Sequence, residues 1–77
     1  MNTTRRKDLA KVIKTIEDAM SELECLKEEE EEYRDNMPEN LQGSERYERA
    51  DEACDNLDSA VSSLEEAITY IEDAISA

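Results

Sequence analysis

The sequence predicts an all-α fold, an antiparallel two-helix coiled-coil hairpin that we expect to dimerise into a four-helix bundle. Apolar residues recur at spacings of three and four in both halves of the chain, which is the period of an amphipathic helix. One Gly and one Pro among 77 residues leave little material for the turns of a β or α/β fold. Both lie between the two periodic segments, so we expect one domain over residues 1–77.

The second half of the chain carries the clearer heptad pattern. From Asp51 onward its a and d positions are apolar, every g position is alanine and every e position is acidic. The residues at a and d are Cys54, Leu57, Val61, Leu64, Ile68, Ile71 and Ile75. A seam of this kind predicts a helix over about residues 44–76. Ser44 is a preferred helix-capping residue and is expected to begin it.

The first half repeats this scheme. Residues 13–21 match residues 68–76 in pattern, which places Leu9, Ile16 and Leu23 at d positions. Beyond Leu23 the seam weakens, because Lys27 occupies an a position and Glu30 a d position. The pattern predicts a helix over about residues 4–36 and a connection over residues 37–43.

A short connection between long helices folds them back antiparallel. Facing residues then have numbers that add to roughly 80, and apolar residues face apolar residues nearly throughout. Pro38 ends the first helix and opens a short helical turn that Gly43 closes. The residues expected to close the loop end are Tyr33, Met37, Leu41 and Tyr47.

The apolar face of the second helix is wider than one partner helix covers. Small side chains at its g positions let another helix approach closely, and its c positions are uncharged. We expect self-association through this face; a partner helix there, or a monomer with an alanine-coated flank, are the alternatives. The residues assigned to self-association are Ala53, Ala60, Ala67, Ala74 and Tyr70.

The charge is strongly negative and unevenly placed. The formal net charge is −13, and residues 1–27 contribute none of the excess. Such a field repels nucleic acid and anionic membranes and attracts basic proteins. We name the e and f carboxylates of the second helix, with the cluster at residues 28–32, the acidic ridge. The ridge residues assigned to partner binding are Glu28, Glu29, Glu31, Glu32, Asp51, Glu52, Asp58, Glu65, Glu66, Glu72 and Asp73.

The basic residues gather at the N-terminus. In the hairpin this group lies beside the far end of the ridge, so we expect it to compensate the ridge charge rather than to bind nucleic acid. Its members are Arg5, Arg6, Lys7, Lys11 and Lys14.

Side chains for catalysis are scarce. The chain has no His, and its single Gly excludes phosphate-binding glycine loops. We therefore expect no enzyme activity, no cofactor and no dedicated metal site, and a narrow hairpin is expected to offer no ligand-sized pocket. Cys54 lies in the seam and Cys25 points outward, which disfavours a disulfide between them. No apolar run reaches the roughly 20 residues of a membrane span, and we expect a cytoplasmic protein.

The connection carries the most specific local sequence. Residues 37–48 read MPENLQGSERYE, and from about residue 33 onward the chain resembles a group of small acidic helical proteins. These occur as uncharacterised reading frames in bacterial and phage genomes. The resemblance implies a helical hairpin of mobile-element origin and supplies no functional residues.

Two main functions remain open at this point. In the first, the acidic ridge mimics nucleic acid and blocks the basic nucleic-acid-binding groove of a partner protein, as phage anti-defence inhibitors do; a phage-encoded protein would act in the host cytoplasm. In the second, the chain is a structural or regulatory coiled-coil module that self-associates or binds a partner helix through its alanine-rich face. A third hypothesis, a metal-binding helical protein, has only weak divalent binding at residues 28–32 behind it. None involves direct binding of nucleic acid or membrane.

Overall fold

Two long helices and one short connection make up the fold, in a computed structural model that describes all residues from Met1 to Ala77. Helix α1 spans Thr3–Asp35, a 3-10 turn spans Glu39–Leu41, and helix α2 spans Glu45–Ser76. There are no strands, so the predicted all-α class is confirmed. The helix ends lie within one residue of the predicted ends.

Each helix begins at a side-chain cap. Asn2 Oδ1 accepts a hydrogen bond from the Arg5 backbone N–H at 2.7 Å, and Ser44 Oγ accepts one from Tyr47 N–H at 3.3 Å. Both bonds satisfy backbone donors that have no partner within the first helical turn. The Ser44 cap follows the sequence prediction. The Asn2 cap was not anticipated, and it begins α1 one residue earlier than predicted.

The connection reverses the chain within a few residues. Pro38 disfavours helical geometry at Met37, and α1 ends at Asp35. Gly43 has φ of +88°, in the left-handed region that a residue without Cβ enters at low cost. Ser44 N–H then donates to Leu41 O at 3.0 Å, which closes the turn directly before α2.

Hydrogen bonds at both ends of the hairpin show that the helices are antiparallel. Arg6 Nε, near the start of α1, donates to Ile75 O, near the end of α2, at 3.0 Å. At the loop end, Arg34 Nη1 donates to Asp51 Oδ1 at 2.9 Å. The molecule is a rod of 60 × 16 × 12 Å, one helix layer thick. The predicted helical hairpin is therefore confirmed.

The core is small because each helix has only one neighbour. Met37, Ala50, Cys54 and Val61 are the only buried residues. The predicted a and d residues of both helices otherwise lie half-buried along the seam, Leu23 and Leu57 among them. Of the residues predicted to close the loop end, Met37 is buried and Leu41 and Tyr47 are half-buried. Tyr33 lies beside Met37 and Leu41 but is 50% exposed, because a g position lies at the flank of the seam.

Candidate functional site

The two long sides of the hairpin differ in chemistry. In an antiparallel pair, the e positions of both helices border one side of the seam and the g positions border the other. The e side is acidic, with Glu17, Glu24 and Glu31 on α1 opposite the ridge residues of α2. The g side is apolar. A partner therefore meets a different surface on each side of the same rod.

Two ridge carboxylates are held in salt bridges across the hairpin. Lys27 Nζ lies 3.1 Å from Asp58 Oδ1, and Arg34 Nη1 lies 2.9 Å from Asp51 Oδ1. Arg34 Nε also reaches Asp35 Oδ1 at 2.9 Å. The Lys27 and Arg34 side chains are only 22% and 20% exposed. They occupy successive a positions, so their aliphatic stems cover the seam while their charged ends reach the e-side carboxylates.

These pairs reduce the charge of the ridge near the loop. From the sequence alone, Lys27 is only a break in the apolar seam and Arg34 has no predicted role. A tendency toward such salt bridges was predictable, since basic a residues opposite acidic e residues favour them in an antiparallel hairpin. The hydrogen bond to Asp58 raises the pKa of Lys27, and the hydrogen bond to Asp35 is the first cause that raises the pKa of Arg34. Both side chains are therefore cationic at neutral pH.

The rest of the ridge is free of salt bridges. Glu52, Glu65, Glu66, Glu72 and Asp73 are exposed, and none has a basic nitrogen within 4.0 Å. In the cluster near the loop, Glu28, Glu29 and Glu32 are exposed and Glu31 is half-buried, again without salt bridges. These side chains present unneutralised carboxylates to solvent.

The N-terminal basic residues do not pair with the ridge as expected. Lys14 Nζ bonds Asp18 Oδ1 on its own helix at 2.8 Å. Arg6 donates to the backbone oxygens of Ile75 and Ala77, at 3.0 and 3.3 Å. The C-terminal carbonyls of α2 have no helical partners and carry partial negative charge. The guanidinium of Arg6, at the facing a position, therefore binds these carbonyls and not a ridge carboxylate.

The apolar side extends over both helices. We name the apolar g residues of the two helices the apolar strip; they are Val12, Ala19, Leu26 and Tyr33 on α1 and Ala53, Ala60, Ala67 and Ala74 on α2. The α2 alanines are half-buried, whereas Val12 and Leu26 are 46% and 53% exposed. Tyr70, at a c position beside the strip, is 72% exposed. The self-association face predicted from α2 alone is therefore one half of a wider surface. The apolar g residues of α1 form the other half, and their heptad positions in the sequence indicated it.

Open depressions lie on the surface, contrary to the expectation of no ligand-sized pocket. One of about 480 Å³ at the loop end is lined by Tyr33, Met37 and Leu41, with Glu29, Glu32 and Arg46 at its border. A second, of about 440 Å³, adjoins the first at Tyr33 and Arg46, and a third, of about 480 Å³, lies around Tyr70 on α2. They arise because long side chains stand apart on a narrow rod, and all are wide open to water.

Other features concern metals, membranes and thiols. No group of three or more His, Cys, Asp or Glu side chains is arranged to hold a metal ion. Neither helix combines the length and apolar character that a membrane crossing requires. Cys54 is buried, Cys25 is exposed, and both are free thiols, as predicted from their heptad positions.

The buried thiol gives a prediction about alkaline pH. Burial raises the pKa of Cys54, and the neighbouring Glu31 and Glu30 add to the effect while Arg34 opposes it. The folded thiol thus keeps its proton to higher pH than the unfolded one. Its contribution to stability is complete below the unfolded pKa of about 8.5 and is lost as pH rises through the folded value. We expect the melting temperature to fall between pH 8 and pH 9.5.

Matched cysteine variants test the source of this fall. Cys54→Ala should flatten the dependence of melting temperature on pH in this range, whereas Cys25→Ser should leave it unchanged. Melting curves followed by circular dichroism give the comparison. An equally steep fall in Cys54→Ala would assign the effect to other groups.

The fold and its two sides define an all-α helical hairpin with one acidic and one apolar surface. Comparison of the chain with protein-family models, with curated proteins and with solved structures found no match.

Proposed function

We propose that the protein is a non-enzymatic acidic binding module whose ridge docks into a basic nucleic-acid-binding groove of a partner protein. The observation that carries the proposal is the set of exposed, unpaired carboxylates on α2. Its members are Glu52, Glu65, Glu66, Glu72 and Asp73.

The helix supports this role by holding the carboxylates in a fixed array. At about 1.5 Å per residue, the 32 residues of α2 extend over ~48 Å. Duplex DNA carries one charge per ~1.7 Å of axis, so the ridge is less dense in charge than the polymer it would replace. Its backbone is already ordered, and binding therefore costs less conformational entropy than it would for a flexible acidic tail.

The proposal includes a cytoplasmic site of action, which agrees with two free thiols in the fold. It also includes an inhibitory role of the kind that mobile elements direct against host enzymes, and this part rests on the resemblance of the loop segment alone. A second candidate is a structural or regulatory module that associates through the apolar strip. The exposed side chains of Val12, Leu26 and Tyr33 favour it. The two functions use opposite sides of the rod.

Charge reversal on the ridge tests the proposal. The immobilised protein is incubated with a bacterial lysate at low salt, and bound proteins are eluted with a salt gradient or with duplex DNA. We expect DNA to release the captured proteins, since ligand and competitor occupy one groove. The variant Glu65→Lys/Glu66→Lys/Asp73→Lys should capture them at least about 10-fold less, because each reversal replaces attraction by repulsion.

A second triple variant controls for net charge. Asp8→Lys/Glu22→Lys/Glu39→Lys makes the same change in total charge at exposed positions off the ridge, none of them in a salt bridge. It should retain most of the binding. Equal loss in both variants, or complexes that resist both salt and DNA, would contradict docking through the ridge.

A further inference from the structure

The hairpin exposes more surface than a monomer of its mass normally does. Its accessible surface is 5714 Å² for 8.8 kDa. The scaling for folded monomers gives about 4,800 Å² at this mass, which leaves an excess of about 900 Å². A specific protein interface covers about 800 Å² on each partner. The excess follows from the elongated shape of 60 × 16 × 12 Å, and it is as large as one interface.

The apolar strip is an uncharged part of this accessible surface. Four tenths of the chain is charged, yet the eight strip positions are uncharged, and the only charged g positions are Arg5 and Arg46, beyond the two ends of the strip. Val12, Leu26 and Tyr33 are each about half exposed and follow one another along one edge of α1. Isolated exposed apolar side chains are common on monomers, whereas a continuous apolar strip marks an interface.

We infer that a second copy of this chain covers the apolar strip. Two molecules with a net charge of −13 repel each other along most of their surfaces. Contact through the strip reduces this repulsion, because the e carboxylates of α2 lie on the other side of the seam. A basic partner, in contrast, is attracted to the ridge and not to an uncharged strip. The inference does not depend on the proposed function of the ridge.

The side-chain sizes select one of the two symmetric ways to stack the hairpins. A two-fold axis along the rods places α1 of each copy over α2 of the other, so that Val12 and Leu26 lie over Ala67, Ala60 or Ala53. An axis across the rods places α1 over α1 and α2 over α2, which packs the large side chains together and leaves alanine against alanine. Interiors are packed evenly and closely, so large over small is the arrangement that fills the space.

The resulting four-helix bundle has its two loops at one end and an acidic ridge on each outer side. It is thus a bivalent acidic rod. A partner with two basic grooves would gain from binding both ridges at once.

Sedimentation equilibrium on the full chain tests the pairing. Between about 5 and 500 μM in physiological salt, we expect the average mass to rise to twice 8.8 kDa. The variant Val12→Glu/Leu26→Glu should keep the mass of one chain throughout this range, because pairing would bury its carboxylates. Ser21→Glu/Ser62→Glu adds the same charge at exposed positions outside the strip and should still dimerise.

A wild-type chain that stays monomeric at 500 μM overturns the inference, whether or not the variants fold. Equal dimerisation of wild type and Val12→Glu/Leu26→Glu overturns the assignment to the strip.

Spin labels at the loop test the orientation. The variant Asn40→Cys is made with Cys25→Ser, and the native buried Cys54 remains unlabelled. With loops at one end and helices packed ~8–10 Å apart, the labels of two copies lie about 10–30 Å apart. Loops at opposite ends would separate them by about the rod length of 60 Å and overturn the proposed axis.

Discussion

Substitution of Val61 by Asp is expected to unfold the hairpin at room temperature. Val61 lies at an a position in the middle of α2 and is 6% exposed, one of only four buried residues. A carboxylate there loses its water, and the short Asp side chain does not reach solvent. An unpaired buried charge costs about 3–5 kcal/mol. A chain of this length has a total stability of about 4–12 kcal/mol, so the loss removes much or all of it.

The neighbouring Ser62 provides the control. It is exposed, and Ser62→Asp makes a similar change in net charge one position away. We expect Ser62→Asp to retain the helical circular dichroism signal at 222 nm and a cooperative melt, while Val61→Asp loses both. A melt of Val61→Asp within a few degrees of wild type would show that the seam does not hold the two helices together.

Replacing Lys27 and Arg34 by Leu is expected to stabilise the hairpin. Both residues occupy a positions where the remainder of the seam is apolar, and their side chains are about four-fifths buried. Their partners Asp58 and Asp51 are 71% and 51% exposed, so each salt bridge contributes less than about 1 kcal/mol. A buried Leu contributes about 1.5–3 kcal/mol. The net gain of about 1 kcal/mol per site should raise the melting temperature by roughly 10 °C in the double variant.

Removal of the acidic partners alone separates the two effects. Asp51→Asn/Asp58→Asn leaves Lys27 and Arg34 in the seam without salt bridges and should lower the melting temperature by a few degrees. High salt should reduce this difference, since it screens exposed pairs. A double Leu variant less stable than wild type would show that the salt bridges contribute more than apolar contacts at these positions. If the double Leu variant is more stable, as expected, register explains the natural Lys27 and Arg34, because polar a residues disfavour alternative pairings of the helices.

The fold was predictable because its signals are local. The three-and-four spacing of apolar residues determines two amphipathic helices, and Pro38, Gly43 and Ser44 determine where the chain turns. Each acts through its own backbone geometry or through neighbours a few residues away. The burial of Cys54 and the exposure of Cys25 follow directly from their places in the heptad.

The candidate binding surfaces were predictable only in part. The carboxylates of the acidic ridge were identified individually, but the salt bridges of Asp51 and Asp58 were not. The prediction that Arg6 compensates the ridge was wrong, since it bonds the C-terminal carbonyls of α2 instead. These contacts depend on which long side chain of one helix reaches which group of the other, and a residue pattern does not specify that reach.

Two helices, one turn and a strong negative charge follow from the residue pattern alone, because helical period, capping and charge are properties of nearby residues. Which carboxylates remain free, and which apolar side chains remain exposed, depends on how the two helices pack. Pairing the helices brings Lys27 to Asp58 and Arg34 to Asp51, and it leaves Val12, Leu26 and Tyr33 on the outside. Each helix covers only one face of the other, so the side chains outside that face remain exposed to solvent.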